Sequence, residues 1–238
     1  MSGFVDDFDS LDPDRWLPHY LPHWSSRAES AATWSTADSV LTLSIPPDQP
    51  RWCSDTHAEP LRVSAIQSGS FSGQQPFLDD QQVVSPEPLW IGWAPQGGRI
   101  EVRARMDLSA RSMASVWMVG LEDAPERCGE ICLFEVFGRT VADGGAEVGS
   151  GVHPFRDPAL VDDFTAPRLD LDVAAWHDYA VDWHPDRVDF SIDGRHQRTV
   201  PQSPDYPMQV IAGVFDFPAW PGPADHVPAL QIDRIAGP

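Results

Sequence analysis

The sequence has few basic residues and no long apolar run. Its 16 Lys and Arg residues stand against 36 Asp and Glu residues, which gives a formal net charge of −20 at pH 7. Because such a surface repels phosphate polymers and anionic lipids, we expect no nucleic-acid partner. The apolar stretches fall short of the roughly 18 residues that a membrane helix needs, so no membrane segment is predicted.

Cysteine is also scarce. The three cysteines, Cys53, Cys128 and Cys132, cannot all pair, and their spacing is not that of a disulfide framework or a zinc knuckle. The first residues show no basic and apolar signal-peptide pattern. Reduced cysteines and this start favour a cytoplasmic location. A secreted protein is the alternative, if the chain has been trimmed.

Long helices are disfavoured, because 24 prolines and 17 glycines are scattered along the chain. Residues 99–106 alternate charged and apolar side chains, which is typical of a strand with one wet face. Residues 40–45 and 188–192 alternate in the same way, and Asp193-Gly194 is a tight-turn pair. We therefore predict an all-β protein, a sandwich or barrel, that forms a single domain over residues 1–238.

One apolar strand contains two glutamates. Residues 129–138 are bounded by glycines, with Glu130 and Glu135 inside. Strict alternation would point the two carboxylates to opposite faces and bury Glu135 in the core, which is costly for an unpaired charge. One extra residue near Leu133 or Phe134, a β-bulge, would bring both glutamates to one face.

Two carboxylates on one face can divide the work of glycosidic bond cleavage. A separation of about 5–5.5 Å makes one a nucleophile and the other a general acid, with retention of configuration. From spacing alone an alternative stays open, in which Glu130 and Glu135 are ordinary exposed residues paired with arginines.

Further segments accompany this strand in a fixed order. They are G-R-I-E-V-R-A-R at 98–105, M-A-S-V-W-M-V-G at 113–120, W-H-D-Y-A-V-D-W at 176–183 followed by the hairpin at 188–194, and Y-P-M at 206–208. With the E-x-x-x-x-E strand they resemble glycoside hydrolase family 16, the laminarinase-like group. The resemblance implies a concanavalin A-like jelly-roll sandwich of two curved antiparallel sheets, with a sugar cleft on the concave face.

The resemblance also implies roles for individual residues. Glu130 matches the nucleophile and Glu135 the general acid/base, while Trp117 and His153 match residues that face the cleft. Cys132 stands where the family places an aspartate. Because a thiol carries no charge unless it is ionised, we expect a slower enzyme or a shifted pH optimum.

Loop aromatics and one late aspartate complete the predicted site. By the same resemblance, Trp90, Trp93 and Trp220 are candidates for sugar subsites, with core packing as the alternative. Asp233 matches a carboxylate that holds a structural calcium ion in many members, with a plain surface aspartate as the alternative. No other cofactor is expected.

The predicted function is retaining, endo-acting hydrolysis of a neutral β-linked polysaccharide. The resemblance suggests a β-1,3-glucan or a related β-glycan, and the acidic surface disfavours sulfated or uronate-rich polymers. Two alternatives stay open, a non-catalytic sugar-binding sandwich and a transglycosylase that uses the same glutamates. The release of new reducing ends separates binding from hydrolysis, and lengthened products reveal transfer.

Overall fold

Two stacked antiparallel β-sheets make up most of the protein in the computed structural model, which describes residues 3–71, 76 and 81–238. The strands are β1 (Phe4–Asp6), β2 (Thr33–Ala37), β3 (Val40–Ser44), β4 (Arg62–Gln67), β5 (Gly69–Ser70), β6 (Trp90–Ile91), β7 (Gly98–Asp107), β8 (Ser112–Gly120), β9 (Glu130–Phe137), β10 (Ala146–Glu147), β11 (Gly149–His153), β12 (Asp163–Thr165), β13 (Arg168–Leu169), β14 (His177–Trp183), β15 (Val188–Ile192), β16 (Arg195–Val200), β17 (Met208–Asp216) and β18 (Ala229–Gly237). The helical elements are short: α1 (Arg27–Ser30) and two 3₁₀ turns, Pro22–Trp24 and Gly138–Thr140. In the described part of the chain, no helix is long and apolar enough to cross a membrane.

The two sheets differ in size. In the described residues the first sheet has the order β16-β15-β14-β7-β18-β3-β2, with β1 also paired to β18. The second sheet has the order β12-β11-β9-β8-β17-β4, and two short ribbons, β5–β6 and β10–β13, lie outside both. The predicted all-β sandwich is therefore confirmed.

Alternation in the sequence builds the core between the sheets. Strand β7 buries every second residue, Ile100, Val102, Ala104 and Met106, as the pattern predicts. The hairpin from β15 to β16 turns at Asp193-Gly194, whose φ angles of 51° and 70° are those of a tight turn with two left-handed residues.

The second sheet is buried on its inner face and partly covered on its outer face. On β8 and β17 the residues Val116, Met118 and Val210 pack inward against the first sheet. Their neighbours Trp117 and Ile211 belong to a separate cluster on the outer face. Residues from the loops before β2 and β4, including Trp24, Trp52 and Leu61, cover part of that face. The uncovered part forms the cleft.

Candidate active site

A β-bulge on β9 orients the two glutamates. Glu135 lies opposite Ser115 on β8, and Cys132 lies opposite Trp117, so three steps along β9 match two along β8. Leu133 is the extra residue, and the predicted bulge is confirmed. The pairing of β9 with β11 shifts its register over the same stretch.

The bulge divides β9 between the core and the outer face. Ile131, Leu133, Phe134 and Val136 all belong to the core between the sheets. Glu130, Cys132 and Glu135 line one cavity of about 260 Å³ on the outer face, which we call the central cavity. Its walls also include Tyr20, Trp117, His153, Phe215 and Phe217. Five of the predicted site residues therefore meet in one place.

The electrostatics of the central cavity favour protonated carboxyls. Burial, the charge of Glu135 and the charge of Glu122 together raise the pKa of Glu130 to about 8. Burial also raises the pKa of Glu135, although His153 and Arg139 partly offset the effect. Because the two groups interact, they titrate as a pair that holds a proton near neutral pH.

Cys132 sits between the two glutamates and is almost fully buried. Burial, followed by the charges of Glu135 and Glu130, holds the pKa of its thiol well above the ordinary range. The Sγ atom lies 3.8 Å from the Oγ atom of Ser115. The middle of the site is therefore a neutral thiol, in contact with a hydroxyl.

His153 is held beside Glu130, its cross-strand partner on β11. Its Nδ1 atom lies 2.6 Å from Oδ1 of Asp162, and its ring stacks on Phe164 with a centroid distance of 4.8 Å. Phe164 comes this close because Gly149 has no side chain, since a Cβ there would lie 2.4 Å from the phenyl ring. His153 is thereby fixed in the wall of the central cavity, together with Glu130 and Glu135.

Tyr20 is a cavity residue that the sequence did not reveal. Its ring lies edge-on to Trp117 at 6.3 Å and to Phe215 at 5.4 Å, and burial and the charge of Glu130 raise the pKa of its phenol. The local sequence shows only an aromatic residue between two Leu-Pro pairs. That pattern predicts a loop but not the sheet face that the loop covers.

Trp93 and Trp90 do not line the central cavity. Trp93 belongs to the core between the sheets and stacks on Phe4 with a centroid distance of 4.0 Å. We therefore assign it to packing rather than to a sugar subsite, which corrects its predicted role. Trp90 is half-buried on β6, opposite Ser70.

Trp220 lies at the edge of the cleft. Its ring stacks on Phe217, a wall residue of the central cavity, at 4.2 Å, and packs near Phe137 at 5.8 Å. The guanidinium of Arg139 covers Trp220 at 4.4 Å from the ring centroid. Trp220 thus extends the aromatic wall at the end of the cleft near Glu135.

Asp233 lies on the first sheet, away from the cleft, in an irregular part of β18. Its carboxylate pairs with the guanidinium of Arg103. Calcium prefers six to eight oxygen ligands. No group of three or more His, Cys, Asp or Glu side chains that could hold a metal occurs in the described residues. A calcium site at Asp233 therefore stays a prediction.

Comparison with solved structures supports the same architecture. A structure of the endo-β-galactosidase from Clostridium perfringens that releases GlcNAcα1-4Gal is 25% identical, with a TM-score of 0.84, and the match covers 98% of this chain and 61% of that chain. The laminarinase catalytic domain from Thermotoga maritima is 15% identical, with a TM-score of 0.68 and coverage of 98% and 96%. The β-glucanase from Bacillus licheniformis is 14% identical, with a TM-score of 0.68 and coverage of 100% and 98%.

The predicted jelly-roll sandwich is therefore confirmed. No curated protein sequence matches the chain. A family model does match: that of the glycosyl hydrolases family 16 covers residues 96–232, more than half of the 238 residues, and this stretch includes the bulged strand β9. The chain belongs to glycosyl hydrolase family 16.

Proposed function

We propose that the protein is a retaining, endo-acting hydrolase of a neutral β-linked glycan. One observation carries the proposal: Glu130 and Glu135 line a single cavity, and both have raised pKa values. A carboxyl that stays protonated near neutral pH beside a second carboxyl is the pair that glycosidic cleavage requires. The aromatic walls from Trp117, Tyr20 and Phe217 suit the flat faces of sugar rings.

In the proposed reaction, Glu130 attacks the anomeric carbon and Glu135 protonates the departing glycosidic oxygen as the bond breaks. The sugar is then held as an ester on Glu130. Glu135, now ionised, removes a proton from water, and the water oxygen displaces Glu130. His153 lowers the pKa of Glu135, so it can stabilise the ionised form of that carboxyl.

In the proposed reaction Glu130 must be ionised and Glu135 protonated when the substrate is bound. In the free site burial raises the pKa of Glu130 to about 8, so this carboxyl favours its protonated form at neutral pH. A nucleophile must be ionised. Binding of the substrate must therefore leave the proton on Glu135, next to the glycosidic oxygen.

The substrate class that we favour is a chain with β-galactosidic bonds. The endo-β-galactosidase from Clostridium perfringens resembles this chain more closely, by identity and TM-score, than the laminarinase and β-glucanase do. This chain spans only 61% of that enzyme, so its activity is carried over here as a proposal. A β-1,3-glucan is the alternative.

The first test is the release of reducing ends from a panel of neutral β-galactans, β-glucans and mucin-type glycans. We expect hydrolysis of a galactoside-containing polymer, and a loss of at least about 1,000-fold in Glu130→Gln and Glu135→Gln. Glu101→Gln is the matched control, because Glu101 lies on the first sheet and pairs with Arg99. Binding without cleavage would replace the proposal with a sugar-binding role, and lengthened products would indicate a transglycosylase.

A second test assigns the two roles. Glu135→Ala should keep activity on aryl glycosides, whose leaving group needs no proton, and azide should then yield the β-glycosyl azide. Glu130→Ala should be inactive on the same substrates in the absence of azide. With azide present, this variant should yield the α-glycosyl azide. The opposite pattern would exchange the roles of Glu130 and Glu135.

A further inference from the structure

A second cavity adjoins the central cavity on the Glu130 side. It has a volume of about 250 Å³ and shares Tyr20, Trp117 and Glu130 with the central cavity. Most of its other walls are apolar: Leu21, Trp24, Val119, Ile211 and Phe155. We call it the side cavity. The bond cleavage proposed above uses none of these five residues.

The backbone around the side cavity is strained. Leu21, Glu122 and Phe155 have φ angles of 38°, 53° and 47°, in the left-handed region that side chains other than glycine rarely adopt. All three residues line the side cavity. A strained residue persists only where the surrounding structure holds it in place. Such residues cluster at active sites and ligand-binding sites.

The loop that carries Phe155 and Arg156 is tied to the strand of Glu130. The backbone N–H of Arg156 donates to Sγ of Cys128 at 3.1 Å. One residue further along, the carboxylate of Asp157 accepts from the hydroxyl of Tyr206 at 2.7 Å. The same hydroxyl accepts from the backbone N–H of Gly129, next to Glu130, at 2.8 Å. The side cavity is therefore built in advance of any ligand.

The charged groups of the side cavity limit which ligand groups it can bind. Arg156 donates to the carboxylate of Glu122, and Glu130 is the other acidic group in the wall. Two carboxyls and one guanidinium disfavour a sulfate or a uronate. A sugar that places only a hydroxyl group in the side cavity would leave its apolar walls without contacts.

We propose that the side cavity binds the acetamido group of an N-acetylhexosamine next to the scissile bond. The methyl group would contact Val119, Ile211 and Phe155, which removes apolar surface from water. The amide oxygen can accept from Arg156, and the amide N–H can donate to Glu122. The inference rests on the proposed function, since it names the sugar that the cleft selects.

The test compares oligosaccharides in which galactose and N-acylglucosamine alternate, so that an acylamino group flanks each galactosidic bond on one side or the other. Removing the acetyl groups and re-acylating the amines gives matched N-formyl and N-acetyl substrates. We expect kcat/KM to be about tenfold higher for the N-acetyl form, because one methyl group in an apolar pocket discriminates by about that factor.

A variant that fills the cavity tests the location. Val119→Phe should lower kcat/KM for the N-acetyl substrate at least about tenfold, with a smaller loss for the N-formyl substrate. Val161→Phe is the control, because Val161 is exposed and outside both cavities. Equal loss on both substrates in Val119→Phe would overturn the assignment of this cavity.

The outcomes separate the inference from the proposed function. Hydrolysis with equal kcat/KM for the two acylated forms overturns the inference and leaves the hydrolase intact. If neither form is cleaved, the β-galactosidic substrate class fails, the polymer panel alone decides whether the protein is a hydrolase, and calorimetric binding of the same two oligosaccharides decides the inference. Tighter binding of the N-acetyl form then upholds it, and equal or absent binding overturns it.

Discussion

Cys132 leaves the middle of the site uncharged. The thiol is neutral, and it occupies the position between Glu130 and Glu135 where the family resemblance expects a carboxylate. Both glutamates therefore titrate without a third acidic neighbour on their own strand. The raised pKa of Glu130 arises first from burial, and only then from Glu135 and Glu122.

Restoring a carboxylate at this position should change the rate and its dependence on pH. We expect Cys132→Asp to raise turnover several-fold. The added charge raises the pKa of Glu135, so the falling limb of the pH–rate profile moves to higher pH. Cys132→Ser is the neutral control and should leave that limb in place. Unchanged or lower turnover in Cys132→Asp would mean that the cysteine suits this site as it stands.

The raised pKa of Glu130 also predicts a dependence of stability on pH. The folded protein holds a proton on Glu130 between about pH 4.5 and 8 that the unfolded chain has released. Since the folded state binds more protons there, this group lowers the free energy of unfolding as pH rises through that window. We expect Glu130→Gln to be more stable than the wild type at pH 8, by roughly 1–3 kcal/mol, and nearly equal at pH 4.5.

Urea unfolding at both pH values measures the difference, with Glu101→Gln as the control. A gain in Glu130→Gln that is the same at both pH values would contradict the assigned cause, because only the ionised carboxylate is disfavoured by burial.

At the scale of elements, the bulge on β9 decides whether the site exists. With Leu133 as the extra residue, the apolar residues of β9 reach the core and both glutamates reach the cleft. If the same residues formed a regular strand with no bulge, one glutamate would turn toward the core, at a cost of several kcal/mol for an unpaired carboxylate.

Deletion and truncation at Leu133 change different features of β9: deletion removes the bulge, and truncation removes only a side chain that packs in the core. We expect deletion of Leu133 to remove the bulge and still keep both glutamates on the cleft face, because Glu130 and Glu135 then lie four positions apart in a regularly alternating strand. Leu133→Ala keeps the bulge and should stay active, although it should lower the free energy of unfolding by about 2–4 kcal/mol. Activity assays and urea unfolding of both variants make the comparison. Complete loss of activity in a deletion variant that still folds would contradict the view that the bulge serves only to bring the two glutamates to one face.

At the scale of the whole molecule, the two ends of the described chain meet in the first sheet. Strand β1 pairs with β18, and Phe4 covers Trp93 in the core. Asp6 fixes the turn after β1, because its carboxylate accepts from Nε1 of Trp16 at 2.8 Å and from the backbone N–H of Phe8 at 3.0 Å. The N-terminal segment is thus part of the sandwich.

The Asp6 contacts predict a large effect of a single substitution. Asp6→Ala leaves two buried donors without their acceptor, so we expect a loss of about 2–4 kcal/mol in the free energy of unfolding. Asp7→Ala is the matched control, because Asp7 is adjacent and exposed. A thermal melt of each variant tests this. Similar midpoints for the two would show that Asp6 contributes little.

Several strands and the bulge that brings Glu130 and Glu135 to one face could be predicted from the sequence alone. In β3, β7 and β15 the face that each residue presents follows from its position in the strand, so alternation was sufficient to predict them. The bulge followed from the same local rule, since an apolar strand with glutamates at positions 130 and 135 conflicts with strict alternation.

Only the tertiary structure decided which loops complete the site. Trp93 and Trp220 are both aromatic residues in proline-rich loops, and nothing local distinguishes them. Trp93 meets Phe4 in the core, whereas Trp220 meets Phe217 at the cleft. Tyr20 and Phe155 likewise reach the cavities through contacts between segments far apart in the chain. Side-chain direction within a strand is a local property, but the packing of a loop depends on the partner that the fold brings to it.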